Sequence, residues 1–252
     1  TAFEAEDGLW QGSLHGPSRK YMTPEAEASG RSFVRLDKAG DFVEVEAAAP
    51  ANTITVRACI PDAPEGRGIN ATLSLYRNGE FLQKLSLSSH YAWVYGRFPW
   101  FNHPDHGKPH RFFDESHANI GPVKPGDRLR LQVDEGDSAD YYLVDLVELE
   151  QAPPPQEAPA GSLTIAECGA VADDGLDDGP AFLACIEQAR AEDRTVWIPP
   201  GTYRLEGSPI ALGGVSIQGA GLWHSRLTGP AALFRGNGEA FRMADLAIFG
   251  DV

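Results

Sequence analysis

The sequence of 252 residues is poor in cysteine and in basic side chains, and it lacks long apolar runs. Its three cysteines, Cys59, Cys168 and Cys185, are too few for a disulfide-dense scaffold and lack the spacing of a metal site. Cys168 and Cys185 can form one bridge, or all three can remain thiols. Lys and Arg number 21 against 36 Asp and Glu, and the net charge of -15 excludes nucleic acid and membrane surfaces as expected partners. No apolar run reaches the roughly 20 residues that a bilayer-spanning helix needs.

Glycine and proline are plentiful, with 27 and 19 residues, and this composition is typical of a fold with many strands and turns. Four of the prolines fall in residues 151–160, whose sequence is QAPPPQEAPA. Because proline lacks a backbone donor and stiffens the chain, this segment predicts a linker. It separates two predicted domains, residues 1–150 and residues 161–252.

Residues 1–150 show the alternation of apolar and polar side chains that is typical of strands. The predicted strands lie at 32–36, 42–46, 53–60, 71–76, 81–85, 128–133 and 141–149. Asn78 and Gly79 stand between two of them, and this pair favours the positive φ angles of a type I′ hairpin turn. Many short strands with frequent turns predict a β-sandwich.

Residues 161–252 have a different pattern, with one helix and several brief strands. The helix is predicted over residues 178–190, where apolar side chains recur at helical spacing and Asp177 or Asp178 can cap the free N–H groups. The strands are predicted at 162–166, 195–198, 215–217, 232–234 and 246–249. Short strands about one coil apart, without hairpin turns, predict a parallel β-helix that the helix caps.

Several segments of the sequence resemble known families. The segments CGAVADDGLDDGPA at 168–181 and VWIPPGTY at 196–203 resemble the entry to the pectate-lyase-like right-handed β-helix. Five further segments resemble the mycodextranase and α-1,3-glucanase family of glycoside hydrolases. They are SIQGAGLW at 216–223, DLAIFGD at 245–251, YAWVYG at 91–96, FFDE at 112–115 and YLVDL at 142–146. The resemblance implies an all-β fold, with an N-terminal galactose-binding-like β-sandwich and the first coils of a right-handed parallel β-helix. It also implies a secreted protein, extracellular or periplasmic.

The first residues, FEAE at 3–6, resemble calcium-binding carbohydrate-binding modules of the galactose-binding-like kind. There, acidic residues of the first strand and an aspartate of the last strand share a structural calcium, and the matching positions here are Glu4, Glu6 and Asp145. Ca²⁺ takes six to eight oxygen ligands, and alternate residues of one strand point the same way. The alternative is that Glu4 and Glu6 face solvent on an edge strand.

The densest aromatic cluster of the sequence spans residues 91–101. The C–H faces of sugars stack on aromatic rings, and Trp93, Tyr95 and Trp100 are therefore candidate carbohydrate contacts. The alternative places these rings in the core of the sandwich.

Four aspartates, Asp173, Asp174, Asp177 and Asp178, offer the paired carboxylates that glycoside hydrolysis needs. They directly precede the predicted helix, where carboxylates satisfy free backbone N–H groups, and we therefore assign them a structural role. The family that the sequence resembles has its catalytic aspartates on later coils. We accordingly expect no catalytic residue in this chain and place the catalytic residues beyond Val252.

These observations favour the N-terminal portion of a secreted polysaccharide-degrading glycoside hydrolase that acts on an α-glucan and is inactive by itself. The last predicted strand is apolar and has no cap, so we expect further coils of the same β-helix, or another chain, to cover that end. Two alternatives remain open. One is a glycan-binding module without activity, and the other is a structural β-helix of the tailspike or adhesin type.

Overall fold

The computed structural model describes residues 1–96 and 102–250. Two compact units make up the chain, Thr1–Ala152 (unit 1) and Pro153–Val252 (unit 2). Both consist mainly of strands, and the prediction of an all-β fold is confirmed. The helices of the described residues are all too short or too polar to cross a membrane.

Unit 1 contains thirteen strands and four short helical segments among its described residues. The strands are β1 (Ala2–Glu4), β2 (Leu9–Gln11), β3 (Ser13–His15), β4 (Phe33–Leu36), β5 (Phe42–Glu46), β6 (Ala51–Cys59), β7 (Asn70–Arg77), β8 (Glu80–Ser88), β9 (Trp93–Tyr95), β10 (Pro109–Arg111), β11 (Asp114–Val123), β12 (Arg128–Gln132) and β13 (Tyr142–Glu150). The α-helical turn α1 spans Pro24–Glu27, and the 3₁₀ turns span Ala5–Asp7, Ser29–Arg31 and Pro104–His106.

The strands of unit 1 form two larger antiparallel sheets and one hairpin. The first sheet has the order β11-β6-β13-β4-β3, and β1 also pairs with β13. The second sheet has the order β2-β5-β12-β7-β8, and β9 pairs with β10. Both sheets contribute buried apolar side chains to one core, which includes Val34, Ile54 and Val144 from the first sheet and Leu73 and Leu131 from the second.

Asn78 and Gly79 form the turn between β7 and β8, as their sequence predicts. Asn78 has a φ of 53° and Gly79 a φ of 85°, so both central residues lie in the left-handed region that a type I′ turn requires. The Cβ that an L-residue would add at Gly79 meets no atom within 4 Å, and its backbone conformation alone therefore selects glycine.

Unit 2 contains one helix and nine short strands among its described residues. The helix α2 spans Gly179–Glu192. The strands are β14 (Leu163–Thr164), β15 (Thr195–Ile198), β16 (Gly201–Arg204), β17 (Ile210–Leu212), β18 (Ser216–Gly219), β19 (Ser225–Gly229), β20 (Phe234–Gly236), β21 (Arg242–Ala244) and β22 (Ala247–Gly250).

The strand pairs of unit 2 among the described residues are all parallel, and neighbouring strands of a sheet come from successive coils. The sheets have the orders β14-β15-β18-β21, β16-β19-β22 and β17-β20. In the first sheet Leu163 aligns with Val196, which aligns with Ile217, which aligns with Met243. Stacked coils of this kind bury a continuous core that no single coil could form.

The helix α2 covers one end of this core with the side chains that the sequence predicts. Phe182, Cys185, Ile186 and Ala189 are all buried and belong to the apolar cluster of unit 2. Asp177 accepts a hydrogen bond from the backbone N–H of Gly179 at 2.8 Å, at the first turn of the helix.

The proline-rich segment at 151–160 contains the division between the units. Ala152 closes unit 1, where its N–H donates to Asn52 Oδ1 at 2.7 Å. The residues that follow lie on unit 2, since Pro153 O bonds His224 Nε2 at 2.8 Å and the Gln156 N–H donates to Ala220 O at 2.8 Å.

Candidate functional site

A β-bulge in unit 1 places Asp145 in the interior. The register between β6 and β13 shifts between Val144 and Leu146, so Asp145 is the extra residue of the bulge. A bulge redirects a side chain out of the regular alternation. The same residue marks a change of neighbour, because β4 pairs with the part of β13 before it and β1 with the part after it. The side chain of Asp145 is fully buried at this junction.

Asp145 has two partners that reach it from other elements. Its Oδ1 accepts a hydrogen bond from the backbone N–H of Ser29 at 2.9 Å, and its Oδ2 forms an ion pair with Arg57 of β6. Arg57 also donates to the carbonyl oxygen of Glu27 at 3.1 Å. The residues between α1 and β4 therefore close over the bulge.

Glu4 and Glu6 lie beside this junction, and both keep one buried oxygen without a partner. Glu4 Oε1 accepts from the Ser29 hydroxyl at 2.7 Å, whereas Glu4 Oε2 and Glu6 Oε2 have no hydrogen-bond partner among the described residues. The first strand ends at Glu4, and Glu6 belongs to the 3₁₀ turn Ala5–Asp7. The expectation that both residues belong to one strand is wrong, as is the alternative that both face solvent.

Burial dominates the electrostatics of this group of carboxylates. It raises the pKa of Asp145 to about 7, although Arg57 and the Ser29 N–H act in the opposite direction. Burial also raises the pKa of Glu6, with a further contribution from the charge of Glu4. A site that penalises several negative charges is one in which a cation would be stabilised.

A metal ion needs several ligand atoms that converge on one point, and the carboxylates around Asp145 supply few of them. Within residues 1–96 and 102–250, no three His, Cys, Asp or Glu side chains converge closely enough to hold a metal by themselves. Calcium, however, also takes backbone carbonyl and hydroxyl oxygens as ligands. In this group Glu4 Oε2 and Glu6 Oε2 are the unpartnered buried oxygens, whereas both oxygens of Asp145 have partners.

The aromatic segment is only partly available to a ligand. Trp93 and Tyr95, on β9, are only 4% and 5% exposed, and Trp100 lies outside the described residues. Tyr91, just before β9, is 60% exposed. Tyr91 was not among the candidate contacts from the sequence, although it stands at alternate spacing with Trp93 and Tyr95.

Tyr95 borders a cleft of 460 Å³ on the surface of unit 1. Its hydroxyl donates to Asp62 Oδ2 at 2.7 Å and accepts from the backbone N–H of Arg67 at 2.7 Å. Arg111 and Tyr141 also line the cleft, and the Arg111 guanidinium lies 5.7 Å from the centre of the Tyr141 ring. The cleft thus combines carboxylate, guanidinium and phenol groups, which are the groups that bond sugar hydroxyls.

The four aspartates before α2 bond backbone N–H groups of unit 2. Asp178 accepts from Val171 at 2.9 Å and from Arg204 at 3.2 Å. The others do the same: Asp173 accepts from Thr202, Asp174 from Leu176, and Asp177 from Gly179 and Glu206. Asp178 makes no side-chain cap of α2, because its carboxylate is used by β16 and by the segment before the helix.

Comparison with known proteins identifies the family. A family model described as "Alpha-1,3-glucanase catalytic domain D1" matches residues 1–152. The chain belongs to the α-1,3-glucanase family. A second model, "Rhamnogalacturonase A/epimerase, pectate lyase-like", matches residues 163–244 of this family member. A search of the curated proteins finds no match.

Solved structures of α-1,3-glucanases align with nearly the whole chain. The Agl-KA catalytic domain is 29% identical with a TM-score of 0.83, over 98% of this chain and 44% of that one. The catalytic unit of the thermostable GH87 α-1,3-glucanase from Streptomyces thermodiastaticus strain HF3-3 is 32% identical with a TM-score of 0.82, over 100% and 44%. A GH87 α-1,3-glucanase catalytic domain in complex with nigerose is 26% identical with a TM-score of 0.78, over 100% and 46%. The chain spans less than half the length of these catalytic domains.

Proposed function

We propose that this chain is the N-terminal part of a secreted glycoside hydrolase that acts on α-1,3-glucan. The observation that carries the proposal is the family match over residues 1–152, together with the alignment of both units to α-1,3-glucanase catalytic domains. The substrate class follows from the names of these relatives, one of which is in complex with nigerose. The proposal includes the finer assignment of unit 1 as a galactose-binding-like sandwich and of unit 2 as the start of a right-handed β-helix.

The proposed catalytic carboxylates lie outside these 252 residues. Each of the four aspartates before α2 accepts a backbone N–H, so their acceptor sites already serve the fold. A general acid and a general base must instead face the substrate and the attacking water. This chain then supplies the first coils on which the catalytic coils stack, and it supplies a glycan-binding unit.

The proposed glycan contacts lie around β9 and the adjoining cleft. Tyr91 offers an exposed ring for stacking, and Trp100 remains a candidate from the sequence. Tyr95 presents one edge to the cleft beside Asp62 and Arg111, which can bond sugar hydroxyls. Trp93, with its buried ring 5.3 Å from the Arg111 guanidinium, would act by holding this wall in place.

The proposed cofactor is a structural calcium ion bound by Glu4, Glu6 and Asp145. Two unpartnered buried oxygens and the raised pKa of Asp145 support this assignment. When bound, the ion would offset the repulsion among the carboxylates and fasten β1 to β13. The competing arrangement is the one in which Arg57 alone neutralises Asp145.

Co-sedimentation of the purified chain with insoluble α-1,3-glucan tests the function. We expect the chain to pellet with α-1,3-glucan but not with cellulose, and to release no reducing sugar. Equal retention on both glucans would contradict the substrate assignment. Release of nigero-oligosaccharides by this chain would contradict the proposal that the catalytic carboxylates lie outside it. The four aspartates before α2 would then be the candidate catalytic residues.

A further inference from the structure

Two cysteines of unit 2 lie where the capping helix packs on the first coil. Cys185, on α2, is fully buried, and its Sγ lies 3.6 Å from the carbonyl oxygen of Thr164 on β14. Cys168 lies in the turn that follows β14, where its backbone N–H donates to Ile165 O at 3.1 Å. The Cys168 side chain packs against the buried apolar cluster that contains Cys185, and both thiols are free in the structure.

We propose that Cys168 and Cys185 are a modification site at which a disulfide fastens the capping helix to the first coil. Cys185 Sγ contacts the carbonyl oxygen of Thr164 at 3.6 Å, and Cys168 stands four residues later in the turn that follows and packs against the same apolar cluster. A disulfide needs such neighbouring side chains on elements that pack together. The third cysteine, Cys59, is buried in unit 1, and its thiol donates to its neighbour's carbonyl, Ile60 O, at 3.7 Å. The structure therefore selects one pairing of the three that are possible.

The chemistry is a thiol–disulfide exchange with an external disulfide as oxidant. Cys168 is the more exposed thiol, and its thiolate attacks the oxidant to form a mixed disulfide while one oxidant thiol leaves. Cys185 then attacks the sulfur of Cys168, the S–S bond forms, and the second oxidant thiol leaves. In total the two cysteines lose two protons and two electrons, and the oxidant is reduced to two thiols.

Burial governs how readily the bridge forms and breaks. It raises the pKa of the Cys185 thiol, so the thiolate that completes closure is scarce while α2 is packed. We therefore expect closure to be slow in the folded chain and faster while unit 2 is folding. Once closed, the bridge shields the sulfur of Cys185, and a reductant reaches the bond only through Cys168.

The bridge would stabilise the part of unit 2 that caps its core. It closes the loop that contains the turn of Asp173, Asp177 and Asp178, and such a loop loses conformational freedom mainly in the unfolded state. For a unit of this size we expect the thermal midpoint of unit 2 to rise by about 10 °C.

Peptide mapping after oxidation tests the proposal. The chain is refolded with oxidised and reduced glutathione, its remaining thiols are alkylated in denaturant, and it is digested without reductant for mass spectrometry. We expect one cross-linked peptide that joins Cys168 to Cys185, an alkylated Cys59, and a thermal midpoint of unit 2 that falls on reduction. The variant C59S should behave like the unaltered chain, whereas C168A should lose both the cross-link and the redox-dependent shift.

Three results would overturn the proposal. They are alkylation of both cysteines after oxidation, a glutathione adduct that remains on Cys168, and a cross-link that includes Cys59. If C168A does not fold, oxidised and reduced samples of the unaltered chain still decide the question, because cross-link and midpoint are compared within one sequence.

Discussion

The two units of this molecule bury an aspartate in different ways. In unit 2, Asp178 is only 6% exposed, and its two oxygens accept backbone N–H groups from Val171 and Arg204. In unit 1, Asp145 is fully buried, and its oxygens meet one backbone N–H and the guanidinium of Arg57. Two further carboxylates, Glu4 and Glu6, each leave an oxygen unpartnered nearby. One aspartate completes a turn, and the other belongs to a group with excess negative charge.

This difference separates a structural carboxylate from a candidate binding site. A carboxylate whose oxygens accept backbone N–H groups holds two chain segments together and has little capacity left for a ligand. A group of carboxylates with unpartnered oxygens carries a desolvation cost that a cation would lower. The comparison therefore predicts that the two units respond differently to substitution and to calcium.

The largest expected effect is that of Asp178→Ala on unit 2. The substitution removes the acceptor of two backbone N–H groups, those of Val171 and Arg204, and a donor that loses its partner costs about 1–3 kcal/mol. We expect the free energy of unfolding of unit 2 to fall by about 3 kcal/mol, as measured by urea denaturation with hydrogen exchange to separate the units.

Asp174→Ala is the matched control in the same turn. Asp174 is exposed and accepts one local N–H, that of Leu176 at 2.8 Å. We expect a loss of less than about 1 kcal/mol. Equal losses in the two variants would show that burial of Asp178 does not set its contribution.

The second effect is that of calcium on unit 1. A ligand that binds only the folded state stabilises it by about 2.7 kcal/mol at a concentration one hundred times its Kd. We expect calcium to raise the melting temperature of unit 1, and a chelator to lower it, with unit 2 unchanged. Glu6→Gln should reduce the shift, because it removes the charge of a carboxylate with an unpartnered buried oxygen.

The outcome decides between two descriptions of the carboxylate group. If calcium and chelator give identical melting curves, Arg57 alone neutralises Asp145 and the proposed ion does not exist. If calcium stabilises both units equally, the effect belongs to the surface charge of -15 and not to the group around Asp145.

Much of the fold could be predicted from the sequence because strands and helices follow local periodicity. The helix was predicted at 178–190 and observed at Gly179–Glu192, and the strand at 195–198 was predicted with its bounds. The strand β11 was missed, because its polar side chains, such as Glu115 and His117, hide the alternation. It is stabilised by pairing with β6, a contact between distant parts of the chain that local patterns do not contain.

The candidate site shows the same limit. The acidic residues at positions 4, 6 and 145 were identified through a family resemblance, but the bulge that buries Asp145 depends on the register between β6 and β13. Likewise, the aromatic cluster at 91–101 suggests candidate contacts such as Trp93 and Tyr95 without revealing which rings are covered. Burial is set by the hairpin β9-β10 and its surroundings, and it left Tyr91 as the exposed ring.

The third effect is the pH dependence of the stability of unit 1 when a chelator removes calcium. The folded pKa of Asp145, about 7, lies above its ordinary value of 3.8, so folding favours the protonated form. The resulting stability is fully present below pH 3.8 and is lost as the pH rises through 7. We expect a loss of about 2 kcal/mol from this group between pH 4 and pH 8, since relaxation of the site lowers the cost of the buried charge.

Calcium should reverse this dependence, because it binds the ionised carboxylate and therefore lowers the pKa of Asp145. Melting temperatures at several pH values, with calcium and with chelator, check both slopes. Asp145→Asn is the control, since it should remove the contribution of this group from both curves. A chelator curve that Asp145→Asn leaves unchanged would contradict the assignment.

The smallest expected effect is on glucan binding when an exposed aromatic ring is removed, and the two units differ in the exposure of such rings. The described tyrosine and tryptophan rings of unit 2, those of Trp197, Tyr203 and Trp223, are buried, whereas Tyr91 of unit 1 is 60% exposed. Stacking on one such ring contributes about 1 kcal/mol, so Tyr91→Ala should weaken binding to α-1,3-glucan about fivefold. Phe81→Ala is the matched control, because this exposed ring packs at the β7-β8 hairpin, 5.6 Å from Tyr76. Binding isotherms on insoluble α-1,3-glucan measure the affinity of both variants. If Tyr91→Ala and Phe81→Ala weaken binding equally, general surface hydrophobicity binds the glucan, and not the segment before β9.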